Sequence, residues 1–221
     1  MTMIEPSAER ACEPTADAAR TGGILDYWFG ELGDLTLIEM QSDQCRRWYG
    51  KDPATDAYVR DTWLGEYKFC LTSKDYWSLG TARDWAALVI LFDQFPRNMF
   101  RDTPAMYEAD PLALGLCLDA IDRKLDQELP LIQRMFLYMP LMHSEELAMQ
   151  DRMLALFEAL PDQAGERCPQ NVGFFEMARG FARQHHHIVA RFGRFPHRNA
   201  ILGRATTAEE ETFLKEPHSS F

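Results

Sequence analysis

Prolines that directly follow helix-capping residues punctuate this chain, and that habit excludes most folds. Asp52-Pro53, Thr103-Pro104 and Asp110-Pro111 each join a side chain that can accept from helix N–H groups to a proline preset for a first helical turn. Between these signals apolar residues recur every three or four positions, as on one face of a helix, and not every second position as in a strand. Trp85, Leu88, Val89, Phe92 and Phe95 form one such stripe. It follows Thr81-Ala-Arg-Asp84, which reads as a capping box with Asp in place of Glu. Pro96 is expected to stop that helix, because it lacks an N–H and its ring crowds the preceding turn.

The same reading runs the length of the chain. Ile24 to Glu31 is a short apolar helix, and Pro53 opens another to about Leu71 with Tyr58, Trp63, Tyr67 and Cys70 along one side. A short helix follows Thr103 and a longer one Asp110, while Pro130 opens one that ends before Pro140. Ser144 is expected to cap a helix to about Leu160, with a loop over 161–170. A long helix spans about Val172 to Phe192, with Gly193 suited to its C-terminal turn, and Thr206 with Glu209 reads as the capping box of the last helix. No β-branched run bounded by Asn-Gly or Asp-Gly turns is present. The expectation is an all-α fold of eight or nine helices in an array or bundle. Residues 22–221 form a single domain, and 1–21, rich in Ala, Glu, Pro and Thr, read as a mobile tail.

No apolar run approaches the roughly 20 residues of a membrane helix, and the N-terminus lacks a signal-peptide core. The five cysteines are odd in number and widely spaced, which argues against a disulfide framework and a structural zinc site. A cytoplasmic protein without membrane contact, metal or cofactor is expected. A formal charge of −11 disfavours nucleic acid as a partner. One stretch departs from that balance: 177–208 holds Arg179, Arg183, Arg191, Arg194, Arg198 and Arg204 but no Asp or Glu. It is either a local anion site or the basic half of pairs with acidic helices elsewhere.

Part of that basic stretch repeats an earlier phrase. FDQFPRN at 92–98 returns as FGRFPHRN at 192–199. If two helices end alike, Arg97 with Asn98 and Arg198 with Asn199 face one place, their guanidinium groups within about 10 Å. Planar arginine forks suit carboxylate or phosphate. His185 shares a helical face with Phe174, Ala178, Phe181, Ile188 and Phe192, so it is expected to be buried, with His186 or His187 exposed. In YMPLMHSEE at 138–146, Glu145 and Glu146 suit the start of a helix, and a carboxylate beside His143 can fix its tautomer for acid–base work. Glycine-rich phosphate loops, Gly-x-Ser-x-Gly and His-Glu-x-x-His are absent, and no spacing supports a metal site built from the histidines.

Taken together, LFDQFPRNMFR (91–101), YMPLMHSEE with Gln150, and RQHHHIVARFGRFPHRNAILGRATTAEEETFL (183–214) closely resemble the bacterial domain-of-unknown-function family 924, and ILDYWFGE fits as well. The resemblance covers about residues 22 to 221. It implies a tetratricopeptide-like, all-helical fold and brings no established activity. Carried over by position, its polar motif residues are Asp93, Gln94, Arg97, Asn98, His143, Ser144, Glu145, His185, Arg194, His197, Arg198, Asn199 and Arg204. The triple histidine departs from the pattern, in which only the His185 position is expected to recur. The candidate site therefore assigns acid–base roles to His143, Glu145 and His185. Ligand contacts fall to Asp93, Arg97, Asn98, Arg194, His197, Arg198, Asn199 and Arg204. Two functions compete: a pocket for a small anion, phosphate or carboxylate, with or without catalysis, and a helical module that grips a peptide or protein. Convergence on one closed pocket favours the first, and long exposed rows along parallel helices favour the second.

Overall fold

Helix α1 (Ala16–Phe29) begins inside the stretch expected as tail and runs through both glycines. Thr21 anchors it by donating to Asp84 at 2.9 Å. The computed structural model describes residues 16–72, 80–217 and 219–220, so the tail expected over residues 1–15 lies outside the described residues. Helix α2 (Asp43–Tyr49), capped by Ser42, was not anticipated, whereas α3 (Pro53–Thr72) falls where Asp52-Pro53 places it. Tyr58 on α3 is more than half exposed, and Val59 takes the buried position beside it.

The Thr81–Asp84 capping box starts α4 (Ala82–Val89) as expected, but Pro96 does not end the helix. The chain widens into a π turn over Ile90–Gln94 and resumes as α5 (Phe95–Met99), with Pro96 in its first turn. There no N–H is required of a proline, and the wide turn before it removes the clash that would break a regular helix. Arg97 and Asn98 consequently sit on a continuing helix and not beyond its end. This α4–α5 rod is the axis of the molecule. Residues 85–96 are all buried, and α1, α3, α6 and α7 pack on it.

A 3-10 turn over Pro104–Tyr107 leads to α6 (Asp110–Asp122), and a second over Leu125–Glu128 to α7 (Leu131–Leu137). Tyr138 joins α7 to α8 (Met139–His143). Ser144 closes α8 and does not open the next helix: α9 (Leu147–Arg167) takes Glu146 as its N-cap. The loop expected over 161–170 is helix as far as Arg167, with Pro161 inside. A proline there costs about 3 kcal/mol in an exposed helix, but here Phe157, Leu160, Pro161 and Ala164 are all buried and tertiary packing prevails. Helix α10 (Val172–Phe192) folds back antiparallel on α9, tied by Arg183–Glu158 at 2.5 Å and His186–Asp151 at 2.8 Å. It ends at Gly193, whose φ of 66° is the left-handed turn expected of a glycine.

After a 3-10 turn over Pro196–Arg198, α11 (Ala208–Phe213) closes the described fold. Its capping box is Thr207 with Glu210, one residue later than expected. Both registers spell Thr-x-x-Glu, and the Arg194 pair with Glu210 selects the second. With α4–α5 and α7–α8 each counted as one unit, the described residues form nine helices and no strand. Trp28, Phe95 and Phe136 meet edge to face in the main core at 5.7 and 5.9 Å. Ile188, Val189, Phe195 and Phe213 form a smaller cluster under the C-terminal segment. No helix among the described residues is long and apolar enough to cross a membrane.

Candidate functional site

The π turn of the central rod carries Asp93, whose side chain has no solvent exposure. Its Oδ1 lies 2.7 Å from His143 Nδ1, and its Oδ2 accepts from Gln94 at 2.5 Å. Burial acts to raise the Asp93 pKa, but Arg97 and His143 outweigh it and hold it at about 2. His143 is lowered, first by burial and then by Arg97, against the pull of Asp93. Near neutral pH the pair is thus a carboxylate accepting from the Nδ1–H of a neutral imidazole. That fixes the tautomer and leaves the Nε2 lone pair on the opposite edge of the ring. Glu145 was expected in this role and does not fill it, because the end of α8 turns it the other way. Gln150 sets that end: wholly buried, its Nε2 reaches the carbonyls of Met142 at 2.8 Å and Ser144 at 2.7 Å.

Arg97 and Arg198 do converge. Arg97 grips Asp110 bidentately at 2.9 and 3.1 Å and also donates to the Asp93 carbonyl, while Arg198 lies 3.8 Å from Oδ2 of the same Asp110. One carboxylate between them puts the two guanidinium groups well inside the expected separation. They are not equivalent. Arg97 is committed to its carboxylate, whereas Arg198 stacks on Tyr107 and Phe195, and its buried Nε has no acceptor among the described residues. Burial, then the like charge of Arg97, pushes the Arg198 pKa down.

Both arginines border a cavity of about 360 Å³, together with Asn98, His143, His185 and His197. His185 is buried as expected, its Nδ1 at 2.8 Å from the Phe181 carbonyl, while His187 is exposed. Burial lowers His185 to about 3 and His197 to about 4, so both are neutral at physiological pH. Among the described residues, the charged side chains on the wall are all cationic: Arg47, Lys51, Arg97, Arg101 and Arg198. In a chain of net charge −11, that is a strong local inversion. Among the described residues no three His, Cys, Asp or Glu side chains group as metal ligands.

The other candidates lie elsewhere, in a polar knot that fastens the C-terminal segment to the α8–α9 junction. Glu145 pairs with Arg204 at 2.6 and 2.9 Å and accepts from Phe195 N–H at 2.8 Å. Burial would raise its pKa, but Arg204 and that N–H hold it down. Arg204 also donates to Asn199 Oδ1, and Asn199 Nδ2 reaches Glu210 at 3.3 Å. Arg194 grips Glu210 at 2.6 and 2.8 Å. Glu145, Arg194, Asn199 and Arg204 do not border the cavity.

Sequence reasoning missed Tyr107, which supports Arg198, and the shared role of Asp110, which was read only as a cap. It also missed the apolar wall, which includes Trp28, Met135, Phe136, Met139 and Phe157. The recurrence of methionine at 135, 139 and 142 was the available signal, since a core seldom concentrates so adaptable a residue.

An all-helical fold with a buried Asp–His couple and two arginines over one cavity is also what relatives of this chain can be compared on. Residues 24–218 match the family described as bacterial protein of unknown function (DUF924), and the chain belongs to that family. The solved structure of a protein of unknown function, ATU0120 from Agrobacterium tumefaciens, is similar, with 36% identity and a TM-score of 0.72 over 90% of this chain and 98% of that one. Comparison with the curated proteins gives no match.

Proposed function

We propose that the cavity binds a small anionic molecule and that the Asp93–His143 couple is placed to move a proton on it. The observation that carries this reading is the wall itself, on which Arg198 stands with four further cations and, among the described residues, no Asp or Glu takes part. The neutral His143, its Nδ1 engaged by Asp93, can accept a proton from a bound hydroxyl or water at Nε2. The alternative of a peptide-gripping helical module finds less support, because the motif residues gather at one cavity and one knot rather than in rows along parallel helices.

Calorimetric titration with inorganic phosphate and small carboxylates tests the reading, with circular dichroism confirming that each variant is folded. Arg198→Ala is expected to weaken binding by about tenfold or more, from the roughly 1.5–3 kcal/mol of a charge-assisted contact. Arg198→Lys should recover only part, since a point charge does not reproduce the fork. A folded Arg198→Ala variant that binds these anions as well as the parent would overturn it.

A further inference from the structure

The cavity is segregated along its length, and this narrows what can occupy it. On α10 the wall residues Ala178 and Phe181 precede His185, and on α7–α8 Met135, Phe136, Met139 and Met142 precede His143. Each helix therefore passes from an apolar stretch to an imidazole. Seven residues separate Ala178 from His185, which at about 1.5 Å per residue spans roughly 10 Å of helix. His185, His197 and Arg198 all pack on the Phe195 ring, at 5.6, 5.6 and 4.6 Å, and His143 acts on the charge of His185. Imidazoles and the Arg198 guanidinium thus gather at one part of the wall, while Trp28, Trp48 and Phe136 pack together at another, nearer the start of the α7–α8 stretch that leads to His143.

Resting on the anion-site reading above, we infer that the ligand is a monocarboxylate with an aryl or medium-chain alkyl body, its carboxylate on Arg198 and its body among the methionines. The charge count favours carboxylate over phosphate. Arg97 is already neutralised by Asp110 through two hydrogen bonds, so beside the imidazoles only the Arg198 fork remains, and Asp110, 3.8 Å from it, would repel a second negative charge. The apolar end calls for a body that can be buried, since a bare anion would leave that surface wet. Methionine side chains are unbranched and adjust to irregular shapes, so the site should accept straight chains and rings alike. The volume lies near the lower end of small-ligand pockets, roughly 300–1,000 Å³.

The experiment is a calorimetric series on the full chain: acetate, butyrate, hexanoate, octanoate, 3-phenylpropionate, phenyl phosphate and inorganic phosphate. Affinity should rise about three- to fourfold per methylene until the cavity is full, the equivalent of about 0.8 kcal/mol for each buried CH₂. 3-Phenylpropionate should exceed acetate by at least tenfold. Ala178→Leu, which fills the apolar end, should weaken octanoate by a larger factor than acetate. If acetate and phosphate bind through Arg198 but longer acids bind no tighter, the amphipathic ligand is refuted and the anion site stands. Phenyl phosphate binding tenfold more tightly than 3-phenylpropionate would refute the carboxylate head. Should none of the series bind, both readings fall together.

Discussion

The cavity and the polar knot are built from the same vocabulary of arginine, carboxylate, asparagine and histidine, yet they use it in opposite ways. In the knot, Glu145 answers Arg204 and the Phe195 N–H, and Glu210 answers Arg194 and Asn199. The chain closes on itself there, and each of these charges is answered within the fold. At the cavity Arg198 comes no nearer than 3.8 Å to Asp110 and its Nε has no acceptor among the described residues, and His143 keeps one nitrogen away from its carboxylate. Density of polar motif residues therefore does not mark a site. What marks it is donor capacity left over once the fold has used what it needs.

The largest expected effect lies in the knot. Glu145→Ala removes the acceptor of two Arg204 contacts and of a backbone N–H, each partly buried. Hydrogen bonds to charged groups contribute about 1.5–3 kcal/mol each but do not add, so a total near 2–3 kcal/mol is expected. In a domain of this size that lowers Tm by about 5–10 °C. Ligand affinity at the cavity should be unchanged in the folded protein. A Glu145→Ala variant that melts like the parent but loses anion binding would reverse the roles of the two regions.

Titration separates them next. His185 and His197 are lowered to about 3 and about 4, against about 6.5 when unfolded. As pH falls below 6.5 the unfolded chain binds protons that the folded chain refuses, so stability is full above 6.5 and declines towards 4. Glu210, which the Arg194 hydrogen bond leads in lowering to about 2, begins to lose its contribution only below its ordinary 4.5. Between pH 6.5 and 4.5 the acid sensitivity thus belongs to the cavity. Thermal melts should show Tm falling across that window, with a shallower slope in His185→Asn, whose amide does not titrate. An unchanged slope would mean that His185 is charged or solvated in the folded state.

How much of this was legible in the sequence follows from the range of each interaction. Helix class, the Thr81–Asp84 box, the extent of α10 and the burial of His185 depend on neighbours within a turn or two, and all were read correctly. Pro161 misled because its local cost is outweighed by burial against distant helices, and Pro96 because the π turn before it removes that cost. The carboxylate partner of His143 was assigned to Glu145, two residues away, when it is Asp93, fifty residues earlier on a π turn that no local pattern announces. Convergence of Arg97 and Arg198 was legible from the repeated phrase, although the phrase has two structures: a continuing helix in one copy, and a turn beyond a helix end in the other. Division of the motif into cavity and knot was not legible, because it depends on which acid meets which base across the fold.

The smallest expected effect tests the comparison most directly. Arg198 is buried, pushed down by burial and by the neighbouring Arg97, and holds Asp110 only at 3.8 Å. Removing such a charge relieves a desolvation penalty and a like-charge repulsion. Against this stands the loss of its stacking on Tyr107 and Phe195, worth about 0.5–2 kcal/mol per ring. Methionine keeps much of the volume and the apolar stem, and replacing imperfectly paired buried ions with apolar groups is often neutral or stabilising. Arg198→Met should therefore shift stability by no more than about 1 kcal/mol, or roughly 2–4 °C in Tm, while weakening carboxylate binding as strongly as Arg198→Ala. Paired melts of Arg198→Met and Glu145→Ala decide it. If Arg198→Met loses as much stability as Glu145→Ala, the fold requires that arginine as it requires the knot, and Arg198 is a packing residue with no capacity reserved for a ligand.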